Sequence, residues 1–131
     1  MSVHVLRLHP GDDLRQEIDN YAKKHNLSAA ILLSCVGSLK EVCLRDASGV
    51  NVRKCTGDHE IVSATGTVSA RRSHIHVSLS REDLSVIGGH LVQGCIIKTT
   101  AEVALLELPD VLFDKVFDPV TGYNELDMQS K

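Results

Sequence analysis

The run Ser73-His74-Ile75-His76-Val77-Ser78-Leu79-Ser80 constrains this chain more than any other stretch. Polar and apolar residues alternate through it without a break. Strand side chains repeat with period two, so the spacing predicts a half-buried β-strand. Ile75, Val77 and Leu79 share the face that must pack against a core, while His74, His76, Ser78 and Ser80 share the other. At a rise of roughly 3.3 Å per residue the two imidazoles stand about 7 Å apart at their Cα atoms. Thirteen residues separate His76 from His90, which directly follows Gly88-Gly89. A glycine pair permits a bend or a close backbone approach, and so predicts that a third imidazole is carried toward the first two.

His-x-His with one distant His is the donor set of an open zinc site, in which the fourth position is left to water or substrate. The competing reading is a solvated strand face with no metal, and the third histidine is what favours the metal. Each ligand then needs an acceptor for its second ring nitrogen. Ser78, Ser80, Glu60 and Glu102 are the polar candidates. Imidazole binds metal only when neutral, so affinity is expected to fall below about pH 6.5. Arg45 ends one apolar run and Glu102 flanks another. A charge entering so apolar a region needs a partner or a task. Either the two kinds of charge pair at strand ends, or Arg45 grips a substrate carboxylate while Glu102 acts as general acid/base.

The rest of the composition bounds the class. A chain of 131 residues is expected to form one domain, 1–131, with an ordered core of about 3–125. Aromatic residues make up only 3% and Trp is absent, so the core must be aliphatic. The net charge is −3, with no basic cluster and few stacking aromatics, which argues against direct nucleic-acid binding. Cys35, Cys43, Cys55 and Cys95 have no Cys-x-x-Cys spacing, and the N-terminus lacks the apolar stretch of a secretory signal. Free, buried thiols in a reducing, cytoplasmic protein are therefore expected, and no run is long enough to span a bilayer.

Along the chain, Val3–Leu8 reads as a strand. Asp12 and Asp13 open a helix of about Asp13 to His25, with Leu14, Ile18, Tyr21 and Ala22 as its apolar stripe and Asn26 as a left-handed stop. Ser28–Val36 and Leu39–Arg45 read as two strands turned at Gly37-Ser38, followed by a turn at Asp46–Gly49. Asn51–Gly57 reads as an exposed loop, and Glu60–Val68 as a strand with Gly66 a candidate bulge. Gly94–Leu108 holds one long or two short strands. Beyond Pro109 the pattern weakens, and Gln129–Lys131 are expected to fray. The fold class predicted is α/β of the α+β type, a largely antiparallel sheet with one main helix.

Several segments occur together in order: Leu8-His9-Pro10-Gly11-Asp12-Asp13-Leu14, Ser34-Cys35-Val36-Gly37-Ser38-Leu39, Ser73-His74-Ile75-His76, Gly88-Gly89-His90-Leu91 and Thr100-Ala101-Glu102. With them the chain resembles the plant and prokaryote conserved (PPC) domain in its stand-alone form. The resemblance covers Val3 to about Glu125 and implies a homotrimer. That fold is in turn similar to acetolactate decarboxylase, and by that likeness zinc ligands fall on His74, His76 and His90. Plant members carry Arg-Gly-Arg-Pro elements that bind DNA; this sequence has none. The partner-binding segment of those members reads here Gly57-Asp58-His59-Glu60-Ile61-Val62, without its basic and aromatic residues. Two function classes follow: a zinc-dependent enzyme acting on a small carbonyl or carboxylate metabolite, and a non-catalytic trimeric interaction module.

Overall fold

The computed structural model describes residues 2–131. The chain runs β1 (Ser2–Leu8), α1 (Leu14–Lys24), β2 (Ala30–Arg45), β3 (Val52–Val68), β4 (Ser73–Arg81), β5 (Val86–Leu91), β6 (Ile96–Glu107), β7 (Val111–Asp118) and β8 (Tyr123–Ser130). Six strands form one antiparallel sheet in the order β1-β6-β2-β3-β4-β5, and β7 and β8 form a separate hairpin. The last strand of the large sheet also returns to its middle. β5 pairs with β2 at Leu44↔Leu91 and Arg45↔His90, so β2, β3, β4 and β5 close into a ring. The expected α+β class is the one observed.

The helix forms where its signals stand. The Asp13 side chain caps it by accepting from the Gln16 N–H at 3.0 Å, and its second oxygen accepts from the Gly94 N–H at 2.7 Å. One carboxylate thus both starts the helix and fixes it to the β5–β6 connection. Leu14, Ile18 and Ala22 are 0–1% exposed and join the core with Leu39, Val68, Ile75, Leu79, Leu91 and Leu105. Asn26 takes φ +48°, the left-handed stop predicted for it. Cys35, Cys43 and Cys95 are buried, Cys55 is half-buried, and all four thiols are free.

Several local expectations fail, each for a tertiary reason. No turn occurs at Gly37-Ser38, because β2 is one 16-residue strand through both. Gly37 instead lets β6 approach: a Cβ there would lie 2.1 Å from the Thr100 carbonyl oxygen. Residues 52–57, expected to be a loop, are the first part of β3. They are mostly exposed, so no burial period marks them, and their order comes from pairing with β2 at Val42, Cys43 and Leu44. Gly57 (φ +108°) and Asp58 fall where the register with β2 shifts between Leu39 and Glu41, and a second shift, with β4, falls between Ile61 and Ser63. Gly66 is not a bulge; it passes close to His74, whose carbonyl oxygen would sit 2.2 Å from an added Cβ. Gln129 and Ser130, expected to fray, pair with Leu112 and Val111.

Candidate metal centre

Strand register brings the three histidines together. His76 on β4 lies directly opposite His90 on β5, and His90 lies opposite Arg45 on β2. His74 follows on the same face of β4, whose other face buries Ile75, Val77 and Leu79. Of the bend and the close approach that the Gly88-Gly89 pair permits, the structure shows the close approach and no bend, because both residues are part of β5. Their role is close packing. A Cβ on Gly88 would meet the Val77 carbonyl oxygen at 2.5 Å, and one on Gly89 would meet the Arg45 carbonyl oxygen at 2.7 Å. Only glycine lets β5 fit between β4 and β2, and that fit carries His90 into place.

The donor geometry suits a metal ion. One ring nitrogen from each of His74, His76 and His90 lies within 4.8 Å of the others. Nε2 of His74 and Nε2 of His76 are 3.2 Å apart. Two imidazole nitrogens bound tetrahedrally at 2.0–2.1 Å would be separated by about 3.3 Å. The rings are tilted or edge-on to one another with centroids 4.9–5.5 Å apart, converging rather than stacking. Nδ1 of His90 is buried without a hydrogen-bond partner, as is Nε of Arg45. Buried polar atoms are normally satisfied, so two orphans on residues paired across β2 and β5 mark a place built for something else.

The electrostatics favour the neutral form of His74 and His90. Burial lowers the pKa of His74, helped by the neighbouring His76, Arg72 and Arg45. His90 is pushed down to about 4, first by burial and then by Arg45 and His74. Both therefore present lone pairs at neutral pH, as metal ligation requires.

The site opens into a cavity of about 610 Å³ lined by His74, His90, Arg45, Arg15, Arg72 and residues of β7 and β8. Arg15 of α1 braces one wall, donating to the carbonyl oxygens of Leu91 at 2.9 Å and Ser73 at 3.4 Å, the end of β5 and the start of β4. Arg45, singled out from sequence, lies beside His90 at this cavity. Glu102 lies elsewhere, exposed on β6 between Arg7 of β1 and Val36 of β2 and outside the cavity lining. Among the described residues, Ser78, Ser80, Glu60 and Glu102 make no hydrogen bond to the three imidazoles, and Glu60 pairs instead with Ser80 across β3 and β4. Sequence reasoning missed the cationic wall of Arg15, Arg71, Arg72 and Lys115. The Arg71-Arg72 doublet, immediately before the His-x-His strand, was the available signal.

Comparison with known proteins agrees with this architecture. The chain is 38% identical over 135 residues to the bifunctional protein GlmU of Synechococcus sp. (strain JA-2-3B'a(2-13)), covering 98% of this chain and 20% of that protein. It thus spans about a fifth of the length of the curated relatives it matches. A hypothetical protein from Salmonella enterica superposes with a TM-score of 0.96 at 32% identity, covering 99% of this chain and 94% of that one. A metal-containing protein from Archaeoglobus fulgidus superposes with a TM-score of 0.78 at 28% identity, covering 96% and 93%. Residues 1–109 match the family description itself, and the chain belongs to the Plants and Prokaryotes Conserved (PCC) domain family.

Proposed function

We propose that this PCC-domain protein binds zinc through His74, His76 and His90 and receives a small carbonyl- or carboxylate-bearing metabolite at the open fourth position. The observation that carries the reading is the convergence of three imidazoles, with one ring nitrogen of each within 4.8 Å of the others, beside a buried and unpartnered Arg45 Nε. The likeness to an Archaeoglobus protein described as metal-containing supports it. Zinc so held would polarise a ligand oxygen or activate water. His74 and His76 supply two donors from one strand face, and His90 supplies the third across the β4–β5 ladder. Arg45 offers its guanidinium to a carboxylate seated there. Glu102 could serve as general acid/base only from a neighbouring copy, because within one chain it lies outside the cavity.

We further propose that copies of this chain assemble as a homotrimer over the exposed face of β1, β6 and β2. Val3, Val5, Leu33 and Val36 are each more than half exposed there, a sheet face of the kind that association covers. A second function class, a non-catalytic module, draws support from the curated relatives, in which the matching segment is about a fifth of a longer bifunctional protein. Among the described residues no helix is long and apolar enough to cross a membrane.

Metal analysis of untagged protein tests the main reading. Close to one zinc per chain, lost in His76→Ala with the circular dichroism spectrum unchanged, is the expected result. Protein that neither retains nor takes up zinc refutes it and leaves the module.

A further inference from the structure

Beyond its histidines, the cavity concentrates positive charge. The chain as a whole carries −3, yet six of its fourteen Lys and Arg residues line this one cavity, against the two carboxylates of Asp19 and Glu125. The cations divide by depth. Arg15, Arg45 and Arg72 are half-buried in the wall, whereas Lys23, Arg71 and Lys115 are exposed at the mouth. Arg15 is engaged by two carbonyl oxygens and Asp19, and one Arg72 nitrogen donates to the Thr67 hydroxyl at 3.3 Å. Arg71 pairs with Asp114 at 2.6 Å. Among the described residues, Arg45, Lys23 and Lys115 have no carboxylate within ion-pair distance. Such clustering raises the local potential and attracts anions far more strongly than the net charge suggests.

We propose that the cavity binds a small metabolite bearing two anionic groups: an oxygen group held at the metal centre and Arg45, and a phosphate monoester held between Arg72 of the wall and Arg71 and Lys115 of the mouth. The inner half of this proposal rests on the metal reading above; the outer half does not. A single carboxylate at Arg45 leaves Lys23, Arg72 and Lys115 without an anionic partner among the described residues. A phosphate dianion supplies one, since arginine forks bind its oxygens in pairs and lysine adds a compact charge. The cavity's 610 Å³ falls within the range of sites for small metabolites.

Calorimetric titration with three probes tests it: glycerate, 3-phosphoglycerate and glycerol 3-phosphate, against zinc-loaded and metal-free protein. The expected result is that 3-phosphoglycerate binds the loaded protein at least about tenfold more tightly than glycerate, the scale of hydrogen bonds to charged groups. The double substitution Arg71→Ala/Lys115→Gln should bring that ratio close to one without changing zinc content. Both positions are exposed, so the fold is expected to tolerate the change. Equal affinity for glycerate and 3-phosphoglycerate, or a ratio unaffected by the double substitution, overturns the proposal. Displacement of 3-phosphoglycerate by short duplex DNA at equal phosphate concentration also overturns it, by assigning the mouth to a polymer. Glycerol 3-phosphate should bind metal-free protein through the mouth alone, so a failure of zinc uptake is distinguishable from a failure of the phosphate site.

Discussion

Gly89→Ala is the sharpest probe of how this fold makes its site. The new Cβ would stand 2.7 Å from the Arg45 carbonyl oxygen and 3.3 Å from the Leu44 Cβ. An ordinary carbon–carbon contact needs about 3.5–4.0 Å, so β5 must move away from β2 by several tenths of an ångström. The seam it opens is short, consisting of Leu44↔Leu91 and Arg45↔His90. Replacing glycine restricts the unfolded chain and by itself favours folding by about 0.4–1 kcal/mol. Overpacking costs about 1–3 kcal/mol, so a net loss of roughly 1–2 kcal/mol is expected. The larger effect falls on the metal. His90 rides on the displaced segment, and ligand constellations must be held to within about 0.5 Å. Zinc affinity should therefore drop by roughly ten- to a hundredfold, the scale seen when a ligand loses its support. Urea unfolding and competition with a chromophoric chelator measure the two effects. The Gly122→Ala control, with no atom within 4 Å of its added Cβ but φ +78°, should lose some stability to backbone strain while keeping full zinc affinity. Wild-type affinity in Gly89→Ala would refute the claim that this glycine seats the third ligand.

Two further substitutions probe the helix–sheet contact and the third imidazole. Leu14→Ala and Ile18→Ala remove side chains that are 1% and 0% exposed between helix and sheet, so each should cost about 2–5 kcal/mol; losses of a few tenths in urea unfolding would mean that the helix is not docked there. In metal-free protein, His90 titrates at about 4 in the fold against 6.5 for a free imidazole, so the unfolded chain binds a proton between those values that the folded chain refuses. The stabilisation is fully present above pH 6.5 and is lost as pH falls toward 4. Melting temperatures across that window should decline less in His90→Gln than in the parent, and identical slopes would refute the assignment.

The helix was legible in the sequence because its causes are local: a capping carboxylate at Asp13, an i, i+4 apolar stripe and a left-handed Asn26 lie within one short segment. The His-x-His strand was legible for the same reason, since alternation alone decides that Ile75, Val77 and Leu79 face the core while His74 and His76 face away. A third histidine near a glycine pair was visible too, although its route was not. What looked like a bend at Gly88-Gly89 is a strand wedged between two others, and what looked like a turn at Gly37 is a strand paired closely alongside β6. Glycine reports that something must come near, and only the tertiary structure says what. Residues 52–57 are ordered by their pairing with β2 while largely exposed, so no burial period could reveal them. The cavity was beyond sequence reading for a related reason. Arg15, Arg45, Arg72 and Lys115 come from a helix, a strand end, the β3–β4 connection and a late hairpin, and their charges add only where β5 returns to β2 and packing places α1 and β7 beside that seam.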